Sequence, residues 1–283
     1  MTPAQPFPLP KIHTDQLLEG HGVSLAYGTR GDGGSPVLLI MGFSMPGRAW
    51  VHQVDDLARA HRVAWYDHRG AGATRAAAGP YTMDLLAADA ARLLDHLGWE
   101  RAHVIGVSMG GMVAQRLALD HRQRLLSLSL LATHPGGVRA RLPRAAGVAR
   151  FIGAQRGPTR KRVRALQRLL FPDAFLESCD RRWLGAVLKA DFGKPVALRH
   201  RLSQLCAVSL HDTRASLHRL AGLPTLVVKP GLDVLVRPDQ SDRLARLIPG
   251  ARLECFAEAG HGLIRQCPER LNPMLLEHMA AAE

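Results

Sequence analysis

The sequence predicts an α/β protein: a doubly wound, mostly parallel sheet with a helical segment inserted into it. Three observations predict this. Short apolar runs alternate along the 283 residues with longer stretches of helical periodicity, as strands joined by crossover helices do. One of these runs passes through Gly106-Val107-Ser108-Met109-Gly110 straight into a helix. Strand character then vanishes between residues 134 and 223 and returns at Pro224.

The elements follow in order. Gly22-Val23-Ser24-Leu25-Ala26-Tyr27 reads as a short early strand, closed by the glycine-rich turn cluster that runs to Gly34. Pro36-Val37-Leu38-Leu39-Ile40 is the third strand and Val63-Ala64-Trp65-Tyr66 the fourth, with an amphipathic helix over residues 49–60 between them. A second helix covers residues 82–97, capped by Thr82 and carrying Asp84 in its first turn, where the helix dipole favours an acid. Ala102-His103-Val104-Ile105 leads into Ser108, a helix continues through residues 111–119, and residues 125–131 form the sixth strand. His134-Pro135-Gly136-Gly137 opens the mainly helical insertion. The expected division is therefore a core of residues 1–133 and 224–283, with a lid of residues 134–223 between the sixth and seventh strands, lying over Ser108. Residues 224–229 and 251–256 are the last two strands, with a helix from Pro238 to Leu247 between them. No internal repeat is visible.

The glycines around Ser108 have a physical purpose. A serine on a sharp strand-to-helix turn stands clear of the sheet edge, and side chains at Gly106 and Gly110 would collide with the neighbouring strand and helix. Serine is a poor nucleophile at neutral pH unless an imidazole takes its proton. Asp233 and His261 supply an acid and a base, each just past the end of a strand, in the chain order Ser108, Asp233, His261. Asp239 and Asp242 also follow the seventh strand, but they fall in a helix, where the dipole alone explains Asp239.

These residues resemble the α/β-hydrolase superfamily, and the resemblance spans nearly the whole chain. Asp67-His68-Arg69-Gly70-Ala71-Gly72-Ala73-Thr74 is similar to that family's D-x-R-G-x-G-x-S signature, with threonine in the last place. Met41-Gly42-Phe43 stands where many relatives carry His-Gly, so any role of that histidine does not carry over. Within the superfamily the core most resembles bacterial serine esterases, enol-lactonases, aclacinomycin-type methylesterases and cofactor-free haloperoxidases. The resemblance implies that Ser108 attacks an acyl carbonyl, that His261 moves the proton, and that Asp233 orients His261. It also implies that the backbone N–H groups of Phe43 and Met109 form the oxyanion hole, with no metal or organic cofactor. Such a donor is worth about 3 kcal/mol in the transition state. Gly42, Trp50 and His134 are candidate substrate-binding residues, while Asp67 and Arg69 brace the loop after the fourth strand. The expected reaction is cleavage of a small-molecule carboxylic ester or lactone. Haloperoxidase or perhydrolase chemistry and carbon–carbon bond hydrolysis on the same three residues stay open, as does a non-catalytic binding role. Epoxide hydrolases and dehalogenases are disfavoured, because they carry aspartate at the position of Ser108.

Composition narrows the remaining classes. A chain with 47% hydrophobic and 22% charged residues is globular, and no apolar run is long enough to span a membrane. The proline-rich start lacks the pattern of a secretory leader, so the cytoplasm is expected, with Cys179, Cys206, Cys255 and Cys267 as unpaired thiols. The net charge of +13 is nearly all arginine, densest over residues 139–168 and at Arg160-Lys161-Arg162-Val163-Arg164. No aromatic stacking platform interleaves that run, where Phe151 stands alone, so a solvated helical face is expected rather than a nucleic-acid site. The other histidines, His134 apart, read as lying mostly in arginine-rich surface contexts.

Overall fold

The computed structural model describes residues 12–77, 79–137, 140, 145–155, 157–192 and 196–283. Residues 1–10, which bear on the secretory leader, lie outside these, as do Arg139, Arg141, Arg144 and Arg156 of the basic run. Among the described residues one sheet contains β1 (Gln16–Gly20), β2 (Val23–Arg30), β3 (Pro36–Ile40), β4 (Arg62–Tyr66), β5 (Arg75–Ala76), β6 (Ala102–Val107), β7 (Leu125–Leu131), β8 (Thr225–Pro230) and β9 (Arg252–Phe256). The spatial order is β1-β2-β4-β3-β6-β7-β8-β9, with β5 paired to β2.

β1 and β2 form an antiparallel hairpin with Gly20 opposite Val23. Its turn residues, His21 and Gly22, have φ of 52° and 71°, the two left-handed residues that a two-residue hairpin turn requires. The sequence placed a single early strand at residues 22–27, because β1 is largely exposed and has no apolar alternation. From β4 through β9 each neighbouring pair is parallel. Parallel neighbours need crossover connections, and the helices of those crossovers cover both faces, so β3 and β6 are buried at every residue.

On one face α2 (Met83–His96) and α3 (Met109–Asp120) pack through Leu86, Leu93, Met112 and Leu117. On the other, α1 (Val51–Leu57) and α11 (Pro268–Ala280) pack through Val54, Leu57, Leu271 and Leu275. The helix expected over residues 49–60 is shorter than predicted, because a 3-10 turn over Gly47–Trp50 precedes it and it stops at Leu57. α2 begins as its sequence dictates, with the Thr82 hydroxyl accepting the Leu85 N–H at 3.1 Å.

The helical insertion lies between β7 and β8, because the two-residue β5 adds one to the strand count. It holds α4 (Ala145–Gln155), α5 (Thr159–Leu170), α6 (Asp173–Ser178), α7 (Arg181–Phe192) and α8 (Leu198–Leu210). These helices share a small core that includes Leu166, Leu169, Phe171, Leu184 and Leu188. Arg160, Lys161, Arg164 and Arg168 point to solvent along α5. The chain closes with α9 (Pro238–Leu247), α10 (Leu263–Gln266) and α11. No helix among the described residues is long and apolar enough to cross a membrane.

The loop after β4 is held by buried charge. The Asp67 carboxylate accepts the N–H groups of Gly47 and Ala73 at 2.6 and 2.7 Å and the Thr14 hydroxyl at 2.9 Å. Arg69 makes a two-pronged pair with Asp89 on α2, at 2.6 and 2.8 Å, with both side chains almost wholly out of solvent. Removing one partner of such a pair leaves an uncompensated buried charge. Asp89→Ala should therefore lower the unfolding free energy by about 3–5 kcal/mol, read by urea denaturation. A loss below about 1 kcal/mol would mean that the pair behaves like a surface contact.

Candidate active site

β6 ends at Val107 and α3 starts at Met109, so Ser108 alone makes the turn. It does so with φ 56° and ψ −121°, a left-handed backbone that L-residues rarely adopt. A Cβ on Gly106 would strike the carbonyl of Gly110, and one on Gly110 would strike that of Ile40. The strained residue is tied down on both sides. Its N–H reaches the Leu131 carbonyl at 2.9 Å, and its carbonyl accepts the Thr133 hydroxyl at 2.8 Å.

Three expected residues meet here. Ser108 Oγ lies 2.9 Å from His261 Nε2, and His261 Nδ1 lies 2.7 Å from Asp233 Oδ2. Asp233 is fully buried, and its other oxygen accepts the N–H groups of Leu235 and Val236 at 2.8 and 3.0 Å. His261 thus has Nδ1 against the Asp233 carboxylate and Nε2 against the Ser108 hydroxyl. The loops that carry Asp233 and His261 are laced together, since Leu232 N–H donates to the Ala259 carbonyl at 2.9 Å. Asp239 and Asp242 are engaged elsewhere. Asp239 pairs with Arg237 at 2.9 Å, and Asp242 pairs with Lys229 at 2.8 Å.

Ser108 and His261 open into an apolar cavity of about 360 Å³ between the core and the helical insertion. Gly42, Phe43, Met109 and His134 line it. Gly42 approaches so closely that an added Cβ would sit 3.3 Å from Ser108 Cβ. The Met109 N–H belongs to the first turn of α3, where no intrahelical acceptor exists. Phe151, which stood alone in the basic run, faces this cavity and packs against Phe43 with ring centroids 5.8 Å apart.

Two readings need correction. Trp50 is not a wall of the cavity; it is fully buried with Val54 and Leu57 in the core beneath α1, because the 3-10 turn directs it inward. The remaining histidines are not mainly surface residues either. His61, His68, His103, His200, His211 and His278 are all buried. Burial, together with neighbouring His134, pushes His211 down to about 3, so it is neutral at physiological pH.

Sequence reasoning also missed residues that hold the site. Gln204 on α8 is fully buried; its Oε1 accepts the Ser44 N–H at 2.9 Å and its Nε2 donates to the Arg69 carbonyl at 3.1 Å. It thereby fixes the loop that carries Gly42 and Phe43. His68 Nε2 reaches the Met41 carbonyl at 2.8 Å on the same loop. Gly262 N–H donates to the carbonyl of Leu170, at the end of α5, at 2.8 Å. No motif marks a lone glutamine in a helix. His68 lies inside the signature after β4, but its target is a backbone group.

Comparison with known proteins places this geometry among relatives. The family model described as the alpha/beta hydrolase fold matches residues 35–264. The chain is 31% identical over 269 residues to the dihydrolipoyllysine-residue acetyltransferase component of the acetoin cleaving system of Cupriavidus necator, covering 93% of this chain and 68% of that protein. It is 30% identical over 284 residues to rhodomycin D methylesterase DnrP of Streptomyces peucetius, covering 88% of this chain and 92% of the relative. The crystal structure of a hydrolase from Pseudomonas aeruginosa superposes with a TM-score of 0.78 at 30% identity, over 93% of this chain and 97% of that one.

Proposed function

Because the chain belongs to the alpha/beta hydrolase fold family, we propose that it is a serine hydrolase cleaving a small-molecule carboxylic ester or lactone through an acyl-enzyme on Ser108. The observation that carries this reading is the unbroken hydrogen-bond chain from Ser108 Oγ through His261 to Asp233, opening on the apolar cavity.

Ser108 Oγ attacks the carbonyl carbon while His261 Nε2 takes its proton. Asp233 steadies the imidazolium that forms. The N–H groups of Phe43 and Met109 receive the oxyanion, and the N-terminus of α3 adds its dipole. The tetrahedral intermediate collapses with loss of the alkoxide, to which His261 gives its proton. Water then gives a proton to His261 and attacks the acyl carbon, and Ser108 leaves with that proton restored. Helices α4 to α8, within residues 134–223, act as the lid, whose apolar walls select apolar esters. The name of the relative DnrP supports ester chemistry, since it describes a methylesterase. Cys206 and Cys255, exposed as free thiols, support a reducing cytoplasmic setting.

A fluorophosphonate probe should label the protein once, with the adduct mapped by mass spectrometry to Ser108. Labelling at another serine, or none in folded protein, would remove the nucleophile from this reading. Asp233→Asn should keep the side-chain volume but disturb the tautomer of His261. In the chymotrypsin-type triad that change lowers turnover about 10⁴-fold. Here hydrolysis of p-nitrophenyl esters should fall strongly, though by less. Asp239→Asn and Asp242→Asn should stay close to the parent. The reverse ranking would identify a different acid.

A further inference from the structure

At the opposite end of β6 from Ser108, three side chains distant in sequence converge. His103 on β6 is fully buried, His61 lies buried just before β4, and Glu283 follows α11 with its side chain 48% exposed. One nitrogen from each histidine and one carboxylate oxygen of Glu283 all lie within 4.8 Å of one another. The Ser35 hydroxyl stands at their centre, 2.9 Å from His61 Nδ1, 3.0 Å from His103 Nε2 and 2.5 Å from Glu283 Oε1. One point in space is therefore already close to all three atoms. A zinc ion at that point would require Ser35 to turn aside and the three atoms to close to roughly 2.0–2.2 Å.

The surroundings favour a metal over a merely polar cluster. His103 Nδ1 lies 2.8 Å from Ser127 Oγ, which could take its N–H once Ser35 turns aside, freeing the Nε2 lone pair for a metal. Metal-bound histidines are oriented in this way by an outer acceptor. Two imidazoles and one carboxylate suit a borderline divalent ion, whereas calcium and magnesium favour oxygen ligands. The exposure of Glu283 leaves room for water as the fourth ligand.

We propose that His61, His103 and Glu283 form a zinc site that fastens the segment after α11 to the amino-terminal ends of β4 and β6. Ser108 lies five residues further on, just past the carboxyl end of β6, roughly 16 Å away at the rise of a β-strand. The ion therefore acts on stability and takes no part in hydrolysis.

The test uses the full chain without an affinity tag, stripped with EDTA and titrated calorimetrically with zinc chloride. One equivalent should bind, and thermal unfolding should move to higher temperature in its presence. His103 is fully buried, so the discriminating variants are Glu283→Gln, His61→Ala and Ser127→Ala. Glu283→Gln and His61→Ala should each weaken binding at least 10-fold and lose the thermal shift. Ser127→Ala should weaken it about 10-fold, as loss of an outer partner does. Hydrolysis of p-nitrophenyl esters by Glu283→Gln should match the parent with or without zinc. Absence of saturable binding, or affinity unchanged in Glu283→Gln and His61→Ala, would overturn the proposal.

Discussion

The left-handed backbone of Ser108 is the constraint around which the carboxyl end of the sheet is arranged. A non-glycine residue in such a conformation costs of order 1–3 kcal/mol, so the neighbours must over-determine it. They do so by closeness and by hydrogen bonding. Gly42, Gly106 and Gly110 let adjoining backbone approach, β7 takes the Ser108 N–H, and Thr133 holds its carbonyl. The same turn sets the start of α3 and points the hydroxyl to where the loops after β8 and β9 deliver Asp233 and His261. Sheet order matters for this, because β6, β7, β8 and β9 lie side by side. The three residues stay in register only while that parallel run is intact.

Buried polar groups do the fastening elsewhere. Asp67 gathers two backbone amides and a hydroxyl, Arg69 clamps onto Asp89, and Gln204 bridges from α8 to the loops after β3 and β4. Each places a polar group in a low-dielectric interior, which is tolerable because partners are present. Directional contacts of this kind fix loop geometry in a way that apolar packing alone cannot. Loops so anchored can hold backbone N–H groups beside Ser108 without a large side chain to wedge them.

Much of this was legible in the sequence, and the boundary of legibility has a physical basis. Ser108, Asp233 and His261 could be placed because each sits at a strand end, and strand ends are marked by abrupt changes of apolar period. The central strands were clear because burial on both faces makes them continuous apolar runs. β1 was missed because exposure removes that signal, and β5 is only two residues long. Trp50 could not be assigned from sequence between cavity wall and core, because an indole suits either; a 3-10 turn places it in the core. The buried histidines were misread because their partners, such as Ser35, Ser127 and Tyr81, come from remote segments. Arg69 read correctly as a brace, but its partner Asp89 could come only from the fold.

One contact joins the two parts of the molecule at a sensitive place. The amide of Gly262, adjacent to His261, is held by the carbonyl of Leu170 at the last residue of α5, and Gly260 packs so tightly against the same carbonyl that a side chain there would not fit. The imidazole is thus seated partly by the helical insertion. The insertion is consequently not an interchangeable cassette. A helical insertion transplanted from a relative brings new walls to the cavity, but it also brings a different carbonyl, or none, to the residue beside His261. On the proposed mechanism, selectivity and proton-transfer geometry are inherited together, so that in evolution a change in one demands an accommodation in the other.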